Sequence, residues 1–277
     1  MSANINKEIE IIINRFKIGD YDFVINKSKV LLKKIPNNDL VWNIRGLSLQ
    51  TIGNIKESID CFQKSININP KNIAAKNNLG NSYKYANQYK FALECFEDCI
   101  KKDPNYTASI VNLANLKVIL NDYEKAIILY NKVLEDKENI ESVYINLAQA
   151  YQSTKQFEKA LQIINRGLKK FPKQTKIDKL LSIQTNYLNE ENHLEKMINK
   201  LNNNNLNDDQ KINIYFAIGK AFEDKKKFKD SFDYYLKGND LKRAKLDFKI
   251  DDKKKLFSNI KEYFSMHVEE GKNISKN

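Results

Sequence analysis

Apolar and polar positions alternate along this chain with the period of amphipathic helices, and the whole pattern recurs at a step of 34 residues. Residues 73–106, IAAKNNLGNSYKYANQYKFALECFEDCIKKDPNY, show the unit most fully. A first apolar stripe runs through Leu79 and Tyr83, a polar break falls at Asn87-Gln88, a second stripe runs through Ala92 and Phe96, and Pro104 is the stop. Laid over the neighbouring periods, Leu79 and Gly80 fall on Arg45 and Gly46, on Leu113 and Ala114, and on Leu147 and Ala148. Tyr83 falls on Leu49 and Tyr151, Ala92 on Ser58, Ala126 and Ala160, and Phe96 on Phe62 and Tyr130. Pro104 falls on Pro36, Pro70 and Pro172. Each column has a mechanical reason: small residues let two short helices approach, large ones fill the seam between them, and proline cannot continue a helix.

The period divides the chain into copies at 5–38, 39–72, 73–106, 107–140 and 141–174. In the first copy Ile11-Ile12 stand where later copies have Leu-Gly, Gly19-Asp20-Tyr21 supply the turn, and Pro36 ends the unit. Divergence there is expected, because a terminal repeat has a neighbour on one side only. In the fourth copy Lys117 replaces the aromatic and Glu138 the proline, which predicts altered packing at that copy. Residues 175–210 keep the two-helix alternation, through Ile177, Leu180, Leu181 and Ile183 and then Leu194, Met197, Ile198 and Leu201, but lose the columns. Asn202–Asn205 mark a loop, with Asp208 or Asp209 expected to cap the next helix. Gly219, Phe222, Phe228, Ser231 and Tyr235 restore the columns in residues 211–243, and 244–277 read as a charged helical extension or linker.

These columns resemble the tetratricopeptide repeat: a large residue at repeat position 4, Leu-Gly at 7 and 8, Tyr at 11, Ala at 20, an aromatic at 24 and Pro at 32. In residues 39–72, Trp42, Gly46, Ser58, Phe62 and Pro70 occupy those places. The resemblance implies an all-α, right-handed superhelix of about seven helix pairs plus a C-terminal helical extension. It also implies that the first helix of each pair lines a concave groove, with positions 2, 5, 6, 9 and 12 or 13 pointing into it. A narrower likeness lies further on. The run FAIGKAFED…F…SFDYYLKGNDLKR, followed by a charged helix ending in LFSNIKEYF, resembles the last repeat and connecting helix of bacterial sulfotransferases that carry such repeats. In that family the connecting helix leads into a catalytic domain using 3′-phosphoadenosine 5′-phosphosulfate. The likeness makes the chain an alternative candidate for the substrate-recruiting part of such an enzyme.

Composition changes this picture little. The chain carries 47 Lys+Arg against 35 Asp+Glu, a formal net charge of +12. The excess is spread evenly: 19 basic against 13 acidic residues from 196 onward, and 28 against 22 before. Dispersed lysine is what solvated helix exteriors carry, so a nucleic-acid surface is not expected. No run of apolar residues is long enough for a membrane span or a leader, and the chain reads as cytoplasmic. Its three cysteines, Cys61, Cys95 and Cys99, are expected to be small buried thiols, neither a disulfide framework nor a metal site.

Catalytic chemistry is not expected. The eight glycines are isolated, so no phosphate-cradling loop can be built, and no nucleophile, base and acid share a suggestive context. We expect no cofactor, no metal and no small-molecule substrate. Binding is better supported. Carboxamides recur at the groove positions that the resemblance implies: Asn43 and Asn77 at position 5, Asn78, Asn112 and Asn146 at position 6, and Asn81, Asn115 and Gln149 at position 9. A carboxamide both donates and accepts, so such a row can hold the backbone of an extended peptide without reading its side chains. The competing reading is that asparagine is common throughout the chain and falls on polar groove positions by composition. The cation-bearing clamp that repeats of this type use for chaperone tails is lacking, since its places are Asn77, Asn81, Asn112, Ser142 and Asn146. The partner expected from the residues is a protein or an extended peptide.

Overall fold

A computed structural model describes residues 2–203, 205–245, 254–255 and 257–261. Most of the extension expected at 244–277 therefore lies outside the described residues. The elements in order are α1 (Ser2–Lys17), α2 (Tyr21–Lys34), α3 (Asp39–Thr51), α4 (Ile55–Ile68), α5 (Ile73–Tyr85), α6 (Tyr89–Lys102) and α7 (Thr107–Ile119). They continue with α8 (Tyr123–Asp136), α9 (Glu141–Ser153), α10 (Phe157–Lys170), α11 (Thr175–Gln184), α12 (Asn192–Asn203), α13 (Asp208–Asp224) and α14 (Phe228–Ala244). The described residues contain no strand. Among the described residues the fold is all-α, a succession of helices packed in the manner of a helical-repeat array. It divides into two compact units, residues 1–172 and 173–277.

In the first unit each helix packs on the next in sequence, from α1 to α10. The seam within each pair is a lock between a small residue and a large one. A Cβ placed on Gly46 would meet the Phe62 ring at 2.7 Å, one on Gly80 the Phe96 ring at 2.6 Å, and one on Gly219 in the second unit the Tyr235 ring at 2.8 Å. The aromatic occupies space that only a glycine leaves. The first copy reverses the assignment: Ile12 stands in the glycine column and Ser28 in the aromatic one, and both are fully buried.

The turns from α1 to α2, α3 to α4, α5 to α6, α7 to α8, α9 to α10 and α13 to α14 each place one residue in the left-handed region. Gly19 and Gly53 hold it with φ of 81° and 85°, Asn87 and Asn121 with 58° and 59°, and Lys155 and Lys226 with 59° and 57°. Glycine and asparagine tolerate this conformation, whereas a lysine there is strained. Helix starts follow the sequence closely. Asn38, Asn54 and Asn72 accept from the backbone N–H of Val41, Glu57 and Ala75 at 2.9, 3.4 and 2.9 Å. The cap of α13 sits one residue earlier than expected, at Asn207, with Asp208 and Asp209 inside the first turn. Gln210, three residues on, returns a bond to the Asn207 N–H at 3.0 Å, and that reciprocal pair selects the start.

At the fourth copy, Glu138 in the proline column pairs with Arg166 and Lys170 on α10. Lys117, in the aromatic column, lines a cleft of about 360 Å³.

The second unit is joined differently. α13 packs against α11 and α14 and, less extensively, against α12. Buried Asp178 of α11 pairs with Lys200 of α12, and its Oδ1 lies 3.5 Å from His193 Nε2. Tyr187 is fully buried and its hydroxyl bonds the other ring nitrogen of His193. The backbone N–H of Tyr187 donates to Asp224 at 3.0 Å, and Lys220 donates to the Thr185 carbonyl.

Candidate functional site

The first helices of the pairs bring the predicted carboxamides together, and they do so pairwise between copies. Asn78 Nδ2 donates to Asn43 Oδ1 at 3.1 Å, Asn112 Nδ2 to Asn77 Oδ1 at 2.9 Å, and Asn146 Nδ2 to Asn115 Oδ1 at 2.8 Å. The acceptors are held in turn. Asn77 Oδ1 also receives Ser109 Oγ at 3.0 Å, and Asn115 Oδ1 receives the Tyr130 hydroxyl. Burial pushes the Tyr130 phenol up to about 12, so it stays a donor at any physiological pH.

The eight residues therefore occupy three kinds of place. Asn43 and Asn77 are buried and serve as acceptors inside the chain. Asn78, Asn112 and Asn146 are half-buried, each anchored through one N–H, and their Oδ1 atoms accept no hydrogen bond yet are not shut off from solvent. Gln149 is exposed, Asn115 and Asn81 are half-buried, and Asn81 Oδ1 is a buried acceptor without a partner. An anchored amide loses little further rotamer freedom when it binds.

A second set of polar residues extends this line. Gln50 Nε2 donates to the Asn78 backbone carbonyl at 3.2 Å and to Ser82 Oγ at 2.7 Å, and Ser82 Oγ lies 2.8 Å from Ser58 Oγ. Gln152 Nε2 is buried and unpartnered. Gln50 and Gln152 share repeat position 12, so the spacing that singles out positions 6 and 9 carries the signal for them too. At that position in the third copy stands Lys84, whose pKa is pulled down by burial and whose ammonium lies 5.3 Å from the Tyr85 ring.

Among the described residues no group of His, Cys, Asp and Glu is placed to hold a metal ion. Cys61, Cys95 and Cys99 are free and buried, and burial raises the Cys61 and Cys95 thiols to about 11 and about 12. No helix of the described residues is long and apolar enough to cross a membrane.

Three stretches of the chain match models of the tetratricopeptide repeat: residues 41–72, 73–106 and 121–182. Solved structures give the same fold at low identity. A tetratricopeptide repeat protein from Parabacteroides merdae is 15% identical with a TM-score of 0.63, over 86% of this chain and 93% of that one. The C-terminal part of a repeat-containing protein from Cytophaga hutchinsonii is 16% identical with a TM-score of 0.63, over 82% and 94%. A MamA protein is 22% identical with a TM-score of 0.53, over 64% and 96%. No curated protein matches the chain.

Proposed function

We propose, from the tetratricopeptide repeats that the chain carries, that it is a scaffold binding a protein or an extended peptide, and that it is non-catalytic by itself. The observation that supports this most directly is the row Asn78, Asn112 and Asn146. Each side chain is fixed by the copy before it and keeps a carbonyl oxygen and one N–H unused. These groups recur once per repeat, and a peptide backbone offers N–H and C=O groups that match them. A carboxamide row carries no net charge, so binding through it is only weakly dependent on salt. The reading as a recruiting region for a sulfotransferase rests on residues 214–264. There the described residues supply a repeat-type lock, Gly219 on Tyr235, which is a property of the fold.

Display selection against the chain provides a peptide for the test. Replacing Asn78, Asn112 and Asn146 by Ala removes hydrogen bonds worth roughly 0.5–1.5 kcal/mol each, so calorimetry should show affinity falling about tenfold or more. Exposed Asn165 and Asn189 serve as controls, and alanine at both should leave affinity unchanged. Equal affinities for the two variants would remove the row from the binding surface.

A further inference from the structure

One seat in the array is filled by the chain in one copy and left open in the next. In the third copy Tyr83 and Phe91 face each other with ring centroids 5.3 Å apart. Tyr83 also packs against the cluster of Phe62, Leu79 and Cys95. One period later Lys117 and Lys125 stand in place of the two rings, Leu113 and Leu129 in place of Leu79 and Cys95. The result is the cleft of about 360 Å³, with Leu113, Ile128 and Leu129 as its apolar lining and with Lys117 of α7, Lys125 of α8 and Glu97 of α6 as its charged lining. That volume falls in the range of sites that hold a compact ligand group. Ile128 is 67% exposed.

The charges give the seat a direction. Lys125 pairs with Asp122 at 3.0 Å, and the Lys117 ammonium also helps to lower the pKa of that carboxylate, without forming a direct side-chain ion pair among the described residues. Glu97 repels a carboxylate while the two lysines attract it, and Lys125 is already paired with Asp122, so an acidic group entering the cleft is drawn to Lys117. The lysine ammonium groups also favour a π-face beneath them.

We propose that the cleft between α6, α7 and α8 receives an aromatic side chain of a partner peptide whose adjacent residue is acidic. The ring takes the place that the chain's own aromatic pair fills one repeat earlier, resting on Leu113, Ile128 and Leu129. The neighbouring carboxylate pairs with Lys117. The lining contains none of the carboxamides, so this site stands or falls separately from the asparagine row.

The test titrates the full chain, with Ile and Leu methyl groups labelled for NMR, with N-acetyl-Trp-Asp-amide and with N-acetyl-Trp-Lys-amide. The expected result is shifts centred on Leu113, Ile128 and Leu129, with the lysine dipeptide about fivefold weaker. Lys117→Glu should weaken the aspartate dipeptide by a similar factor. Lys117→Tyr restores the aromatic of the sibling copies, and it should abolish the shifts without lowering the melting temperature. If that variant unfolds, Ile128→Glu, at an exposed position, replaces it with the same expectation for the shifts. Equal binding of the two dipeptides, shifts scattered over other copies, no shifts up to the solubility limit, or shifts that persist with the cleft filled would each overturn the proposal.

Discussion

Residues 1–172 and residues 173–245 both pack helices through apolar cores and glycine–aromatic locks, yet the second adds a buried cluster of charged and polar groups. In the first unit the closest seams pair a small residue with a large one, a glycine or alanine beneath an aromatic in the second, third and fourth copies, and they recur because the two columns return with the period. In the second unit, Asp178, Lys200, His193 and Tyr187 form a buried polar cluster that occurs once. A repeated apolar lock spreads its stabilisation over many equivalent places, so losing one weakens one seam. A buried charge cluster concentrates it, because removal of one partner leaves the other charge desolvated.

The largest expected effect follows from that contrast. Asp178→Ala strips the carboxylate from beside Lys200 and His193, and should cost on the order of 3–5 kcal/mol in urea unfolding. A cost below about 1 kcal/mol would place this cluster with ordinary surface pairs. In the first unit, Gly80→Leu drives a side chain into the Phe96 ring and should cost about 1–3 kcal/mol. Adding Phe96→Ser recreates the reversed arrangement of Ile12 and Ser28, so the double variant should be more stable than the sum of the two single losses. Strict additivity would show that the two columns do not share one space.

A third comparison uses pH. The hydrogen bond from Lys76 holds the Asp98 carboxyl below its usual range, and those from Lys170 and Arg166 do the same for Glu138. A carboxylate depressed by folding adds stability that is complete above its unfolded pKa, about 4, and is lost as pH falls through the lower folded value. Acid should therefore weaken the first unit below about pH 4, and Glu138→Gln should flatten that limb without changing stability at neutral pH by more than a surface pair is worth. The smallest effect concerns Lys155, strained at φ 59° where the other copies of the first unit use glycine or asparagine. Lys155→Gly should raise stability by about 0.5–1 kcal/mol, read as a higher melting temperature.

How much of this was legible in the sequence depends on whether a feature repeats. The columns through Gly80, Ala92, Phe96 and Pro104 return at one spacing, and they placed the helix pairs and their turns correctly. The cap of α13 was displaced by one residue because Gln210 favours Asn207, a pairing hidden behind two adjacent aspartates. The asparagine columns were visible, but the bonds between them were not: Asn43 meets Asn78 and Asn77 meets Asn112 across copies, a relation between two positions of the unit. The polar cluster was illegible. Asp178, Tyr187, His193 and Lys200 share no period, and nothing in their types or order announces that folding brings them together. Lys117 was seen as a break in a column, while the cleft it leaves depends on the shapes of its neighbours.

The reversed lock of the first copy bears on how such an array can be rearranged by recombination. A crossover between copies would leave every helix length and turn in place, since the period is shared. It would nevertheless set Ile12 against a Phe96-type ring in one product and a glycine against Ser28 in the other, one seam overfilled and one hollow. The first copy is thus interchangeable with the others in outline but not in halves, whereas the second and third, which share one glycine–phenylalanine lock, can exchange helices freely.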